Sequence, residues 1–83
     1  MRLSHKVAIV TGAAGAGIGQ AIARSFAQEG ANVVVSDAHR ERPFAVAKDI
    51  TAVHKVKAIG FQCDVSNRQQ VEDMVKMTLE EFG

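Results

Sequence analysis

Tryptophan and tyrosine are absent from this 83-residue chain, and proline and cysteine occur once each, at Pro43 and Cys63. A single cysteine cannot close an internal disulfide, which excludes the stapled scaffolds of small secreted domains and makes a reducing, cytoplasmic compartment the expectation. No apolar run approaches the roughly 18 residues a membrane-spanning helix requires. The start, Met1-Arg2-Leu3-Ser4-His5-Lys6, leads directly into a strand pattern without a secretory apolar stretch. An excess of one charge is lacking as well: ten Lys and Arg stand against nine Asp and Glu, mixed along the chain, for a net +1. Neither nucleic acid nor an anionic membrane is therefore expected as a partner. His5, His39 and His54 have no ligand spacing with one another or with Cys63, so no metal site is expected. A chain this short buries only roughly 60–65% of its unfolded surface, and its stability is expected to be marginal.

Short apolar runs alternate with longer helical segments, the mark of an α/β unit with parallel strands. Lys6 to Thr11 reads as a first strand, nearly continuous in Val, Ala and Ile, as suits a strand covered on both faces. Ile18 to about Glu29 reads as a helix with Ile18, Ala21, Ile22, Ser25 and Phe26 on one side, stopped by Gly30. The second strand is Asn32 to Ser36, ended by Asp37, and a helix from about Arg42 to Lys55 carries Val46, Ile50 and Val53 as its stripe. Pro43 is tolerated in its first turn, where an N–H would have no partner. Lys57 to Cys63 reads as a third strand, weakened by Gly60. Ser66 and Gln69 have capping-box spacing and open a last helix with apolar positions Val71, Met74, Val75, Leu79 and Phe82. The order is β-α-β-α-β-α in one unit. Right-handed crossovers then put the first two helices on one face of a parallel sheet ordered 3-2-1. The first strand is left at an edge, an aggregation liability.

Thr11 to Gly19, T-G-A-A-G-A-G-I-G, joins the first strand to the first helix. A glycine-rich turn there lets backbone approach a ligand closely and aims the helix's first free N–H groups, at the positive end of its dipole, toward a diphosphate. A phosphate loop of the G-x-x-x-x-G-K-[ST] kind fails, because Ile18-Gly19 stand where its lysine and hydroxyl belong. Asp37 ends the next strand, about the spacing of roughly 20 residues expected of a ribose ligand. Its carboxylate can accept from both ribose hydroxyls and repels a 2′-phosphate, so NAD is expected over NADP. Arg40 and Arg42, just beyond, read either as a solvated turn or as groups able to reach a phosphate. Asp37 and Asp64 each also have a plain reading as turn residues. Cys63 reads as an inert buried strand thiol, Met74 as helix packing and Met77 as surface.

The residues Val10-Thr11-Gly12, Gly17-Ile18-Gly19, Asp37 and Asp64-Val65-Ser66 together resemble the N-terminal half of a short-chain dehydrogenase/reductase, similar to the 3-oxoacyl-carrier-protein reductase and sugar dehydrogenase branch, along all 83 residues. The resemblance implies a partial Rossmann fold over residues 1–83, truncated before the catalytic half. It implies an NAD-dependent oxidoreductase that interconverts a secondary alcohol and a ketone. Gly12, Gly15, Gly17, Ile18 and Gly19 would form the diphosphate loop, Asp37 would hold the ribose, and Asp64 with Val65 would contact the adenine. The family fingerprint is T-G-x-x-x-G-x-G, whereas four residues separate Gly12 from Gly17 here, and Gly15 reads as the inserted small residue. The family's Tyr-x-x-x-Lys pair has no counterpart in a chain without tyrosine, so no catalytic residue is assigned and the chain alone is expected to be inactive. The parent family's homotetramer and its substrate would belong to the complete enzyme. The alternative is a non-catalytic nucleotide-binding or interaction module that pairs with a full-length relative or with itself through the open sheet edge.

Overall fold

The computed structural model describes residues 3–15 and 17–83; Met1, Arg2 and Ala16 of the glycine run lie outside the described residues. Three strands, β1 (Val7–Val10), β2 (Asn32–Asp37) and β3 (Ala58–Gln62), alternate with three helices, α1 (Ile18–Gln28), α2 (Arg42–His54) and α3 (Arg68–Phe82). The strands form one parallel sheet in the order β1-β2-β3, the expected layout, with Ala8 beside Val33 and Val34 beside Ile59.

Side chains along β2 alternate between the sheet's faces, and the two sides of the domain follow from that alternation. Val33 and Val35 join Val10, Val46, Ala47, Ile50, Ala23 and Ala27 in the core under α1 and α2. Val34 faces the other way, into a smaller cluster with Cys63 and Met74 beneath α3, edged by Phe61, Val71, Met77 and Phe82. Met77 is thus partly buried against that cluster and is more than a surface residue.

Several local expectations are corrected. The face α1 turns to the sheet is Ala23 and Ala27, both fully buried, while Ile18 is 81% exposed and Ala21, Ile22 and Ser25 are exposed. Small side chains win there because they let the helix lie close to the strands. On α2, Pro43, Val46, Ala47 and Ile50 are buried and Val53 is exposed. On α3, Met74 and Thr78 are buried, and Leu79 is 63% exposed. Gly60 does not weaken β3. A Cβ on it would lie 2.7 Å from backbone atoms of Pro43 and Phe44, so its lack of a side chain is what lets the start of α2 rest on the strand.

The last correction concerns the cap of α3. Asn67 is the N-cap, its Oδ1 accepting from the Gln70 N–H at 3.1 Å. Ser66 instead donates its hydroxyl to Asp64, and the Gln69 amide pairs with Asp73 one turn on. Two polar pairs of the same spacing lie one residue apart, and the extended backbone of Asn67 selects the second.

Candidate functional site

A parallel sheet carries the C-terminal ends of all its strands to one edge, and that edge gathers the residues singled out by sequence. The turn leaving β1 is pinned to the end of β2 twice. The Ala13 N–H donates to the Ser36 carbonyl at 2.9 Å, and the Ala14 N–H donates to Asp37 Oδ2 at 3.2 Å. The end of β3 is tied to the same residue, the Cys63 N–H donating to the Asp37 carbonyl at 2.9 Å. Asp64 and Val65 follow immediately. Gly12, Gly15, Gly17, Ile18, Asp37, Asp64 and Val65 thus lie on one rim of the sheet.

The glycines of the turn divide by what surrounds them. At Gly12, which has φ +60°, and at Gly15 and Gly17, an added Cβ would meet nothing within 4 Å. The backbone there lines open space. At Gly19 a Cβ would strike the Gly12 carbonyl, with the Gly12 carbon at 2.9 Å and Ala13 Cα at 3.2 Å. That glycine exists for close packing between the start of α1 and the turn before it.

The helix starts differ in a way that bears on ligand binding. In α2 the Nδ1 of His39 accepts from the N–H groups of Glu41 and Arg42, each at 3.1 Å, and in α3 Asn67 supplies the cap. At α1 the N-cap is Gly17, and among the described residues no side chain accepts from its first N–H groups. Its first N–H groups are left for an oxyanion, and the positive end of the helix dipole favours one. With the open backbone at Gly12, Gly15 and Gly17, these residues fit the diphosphate of a dinucleotide.

Both oxygens of Asp37 are engaged by backbone: His39 N–H donates to Oδ1 at 3.1 Å and Ala14 N–H to Oδ2. The His39 N–H is the main reason its carboxyl is held below the ordinary carboxylate range; partial burial opposes this and the Ala14 N–H adds to it. Asp37 is therefore anionic at neutral pH and fixed in place. Asp64 is held low chiefly by the Ser66 hydroxyl at 2.7 Å and then by the Ser66 N–H at 3.0 Å, both on Oδ1, while its own N–H donates to Gln70 Oε1. Val65, like Ile18, turns an apolar side chain outward. Arg40 and Arg42 are exposed.

Sequence reasoning missed three participants: the Ala14 N–H as a partner of Asp37, His39 as the acceptor for the Glu41 and Arg42 N–H groups at the start of α2, and Gln20, whose amide reaches back to the turn. The Gln20–Arg24 spacing of four was a readable signal for the last of these; the others depend on contacts between strands and loops. Among the described residues no group of three or more His, Cys, Asp and Glu gathers as a metal site, and no helix is long and apolar enough to cross a membrane.

A profile of the short chain dehydrogenase family matches residues 6–83. Short-chain dehydrogenase reductase 3a of Arabidopsis thaliana is 43% identical over the whole chain, which covers 31% of that protein. L-Sorbose reductase of Gluconobacter frateurii, solved with NADPH and L-sorbose, superposes with a TM-score of 0.91 at 33% identity, over 100% of this chain and 32% of its own. Hydroxysteroid dehydrogenase of Escherichia coli gives the same TM-score at 36% identity, over 99% of this chain and 34% of its own. The chain spans about a third of the length of these relatives.

Proposed function

This chain belongs to the short-chain dehydrogenase family, and on that premise we propose that residues 1–83 are the N-terminal, dinucleotide-gripping half of a Rossmann domain in an NAD-dependent oxidoreductase acting between a secondary alcohol and a ketone. The observation that carries the reading is the pairing of an uncapped α1, preceded by open glycine backbone, with a carboxylate clamped at the end of β2. Gly12, Gly15, Gly17, Ile18 and Gly19 form the diphosphate turn. Asp37 takes the ribose hydroxyls, and Asp64 with Val65 flanks the adenine. When bound, the nicotinamide supplies the site at which hydride is taken up or released; the residues here grip the adenosine end and the diphosphate. No tyrosine is present to move the substrate proton, so the 83 residues alone turn nothing over.

The preference is for NAD. A fixed anion at Asp37 meets a 2′-phosphate with like charge, and its two accepting oxygens suit ribose hydroxyls. The sorbose reductase structure contains NADPH, so the discrimination is a property to be measured on this chain. Binding of NADH and NADPH, followed by the anisotropy of nicotinamide fluorescence, tests it: NADH binds more tightly, and Asp37→Ala lowers NADH affinity while narrowing the gap. Equal affinities in both proteins, or tighter binding of NADPH, refute the assignment.

A second reading is supported by the free edge of β1, where Val7 is 40% and Ile9 38% exposed. Strand pairing through that edge, with a second copy or a full-length relative, would use the unpaired backbone groups of β1, and Val7 and Ile9, on the face of the sheet shared with Val34, would gain side chains of the added strand to pack against. Sedimentation of the chain with and without Ile9→Lys tests it, the variant being monomeric if the edge is the contact. The buried, unpaired thiol of Cys63 suits a reducing compartment such as the cytoplasm.

A further inference from the structure

A chain of hydrogen bonds runs from α2 through α1 to the glycine turn. Asp49 Oδ2 on α2 accepts from the Arg24 guanidinium at 2.7 Å. Arg24 Nε donates to Gln20 Oε1 at 2.9 Å, and Gln20 Nε2 donates to the Gly15 carbonyl at 2.8 Å, with the Ala14 carbonyl at 3.4 Å. Every donor and acceptor in the row is determined. A guanidinium only donates, so it fixes which end of the Gln20 amide faces it and leaves the NH₂ for the turn.

We propose that Gln20, oriented by Arg24 and Asp49, is a positioning residue that holds the Gly12 to Gly15 limb of the glycine turn in the shape a dinucleotide diphosphate requires; the proposal rests on the dinucleotide reading of this site. Three observations converge on it. The turn has one residue more than the family fingerprint, and an added residue in a glycine-rich segment adds freedom that binding must remove. The anchored carbonyl belongs to Gly15, which the sequence reads as the inserted small residue. A carbonyl oxygen left free beside a diphosphate presents negative charge to negative charge, and an amide donor on that oxygen draws it toward the protein. The ion pair at the far end is half exposed, at 33% for Arg24 and 55% for Asp49. Such pairs contribute little to stability, so its role here is to hold the Gln20 amide in one orientation.

The variants Gln20→Ala and Gln20→Glu separate anchoring from general stabilisation. Glutamate retains an oxygen for Arg24 but has no N–H for Gly15. Two measurements on the 83-residue chain decide the matter. In the ligand-free protein, amide hydrogen exchange and ¹H–¹⁵N spectra report the turn directly: both variants should raise exchange roughly 10-fold at the Ala13 and Ala14 amides, which are bonded to Ser36 and Asp37, with exchange in β2 unchanged. In binding, both should weaken NADH and ADP by roughly 3- to 10-fold, the loss of one hydrogen bond, while adenosine affinity holds. Arg24→Ala should weaken NADH less, and adding it to Gln20→Ala should change nothing further. Unchanged exchange in the turn overturns the proposal, as does an equal loss for adenosine and NADH. If wild-type protein binds no NADH, or Asp37→Ala leaves its binding unchanged, the dinucleotide reading fails instead, and the exchange data still judge the anchor.

Discussion

Replacing Gly19 by alanine sets two physical effects of opposite sign against each other. In an exposed helix interior the change stabilises by about 1 kcal/mol, because glycine has more backbone freedom to lose on folding. In this protein the new methyl would strike the Gly12 carbonyl, with the Gly12 carbon at 2.9 Å and Ala13 Cα at 3.2 Å. Those are backbone atoms of a turn pinned to Ser36 and Asp37, so no side-chain rotation relieves the contact and α1 must move outward. A methyl forced against backbone that cannot rotate away belongs in the upper part of the roughly 1–3 kcal/mol that overpacking costs, at about 2–3 kcal/mol, leaving a net loss of about 1–2 kcal/mol after the helical gain. For a chain of this size about 1 kcal/mol moves the melting midpoint by roughly 4–8 °C. Gly19→Ala should therefore melt roughly 4–16 °C below wild type by circular dichroism and bind NADH more weakly. Gly17→Ala is the matched control. Its methyl would enter open space, so stability should change by less than about 1 kcal/mol while NADH affinity falls by clash with the ligand. A Gly19→Ala protein that melts at or above the wild-type temperature would refute the packing argument.

The remaining predictions concern the acid range and the helix caps. Because Asp37 is held below its ordinary value in the folded state, the unfolded chain binds the more protons as pH falls. The stability it contributes is present above about pH 3.9 and is lost as pH falls through the lower folded value. Urea melts between pH 2 and 5 should show a shallower pH dependence for Asp37→Asn than for wild type. Asn67→Ala should destabilise by about 1 kcal/mol through loss of the α3 cap, whereas Ser66→Ala should leave α3 intact and raise the Asp64 pKa, as read by carboxyl NMR titration.

Element order, strand identity and the gathering of Gly12, Asp37 and Asp64 at one edge were legible in the sequence, because apolar runs separated by amphipathic segments leave few parallel arrangements. What was not legible depended on distance between elements. The side of α1 that meets the sheet was misjudged because Ile18 and Ile22 outweigh Ala23 and Ala27 in hydrophobicity, while close approach selects the alanines. Gly60 looked like a flaw until Phe44 stood beside it, and the cap of α3 turned on backbone conformation one residue along from an equally spaced pair. The Asp49–Arg24 contact joins residues on two helices, with nothing in either segment to announce it.

The sheet order also bears on how the chain forms. Every strand pairs with the one synthesised immediately before it, and no pairing skips over another. Each pairing closes a crossover holding one helix, which keeps contacts local for a parallel sheet and shortens the search for them. On the ribosome, β1, α1 and β2 can therefore assemble as soon as Asp37 has emerged, before β3 exists. The turn and its carboxylate clamp would then take shape before β3 and α3 are in place.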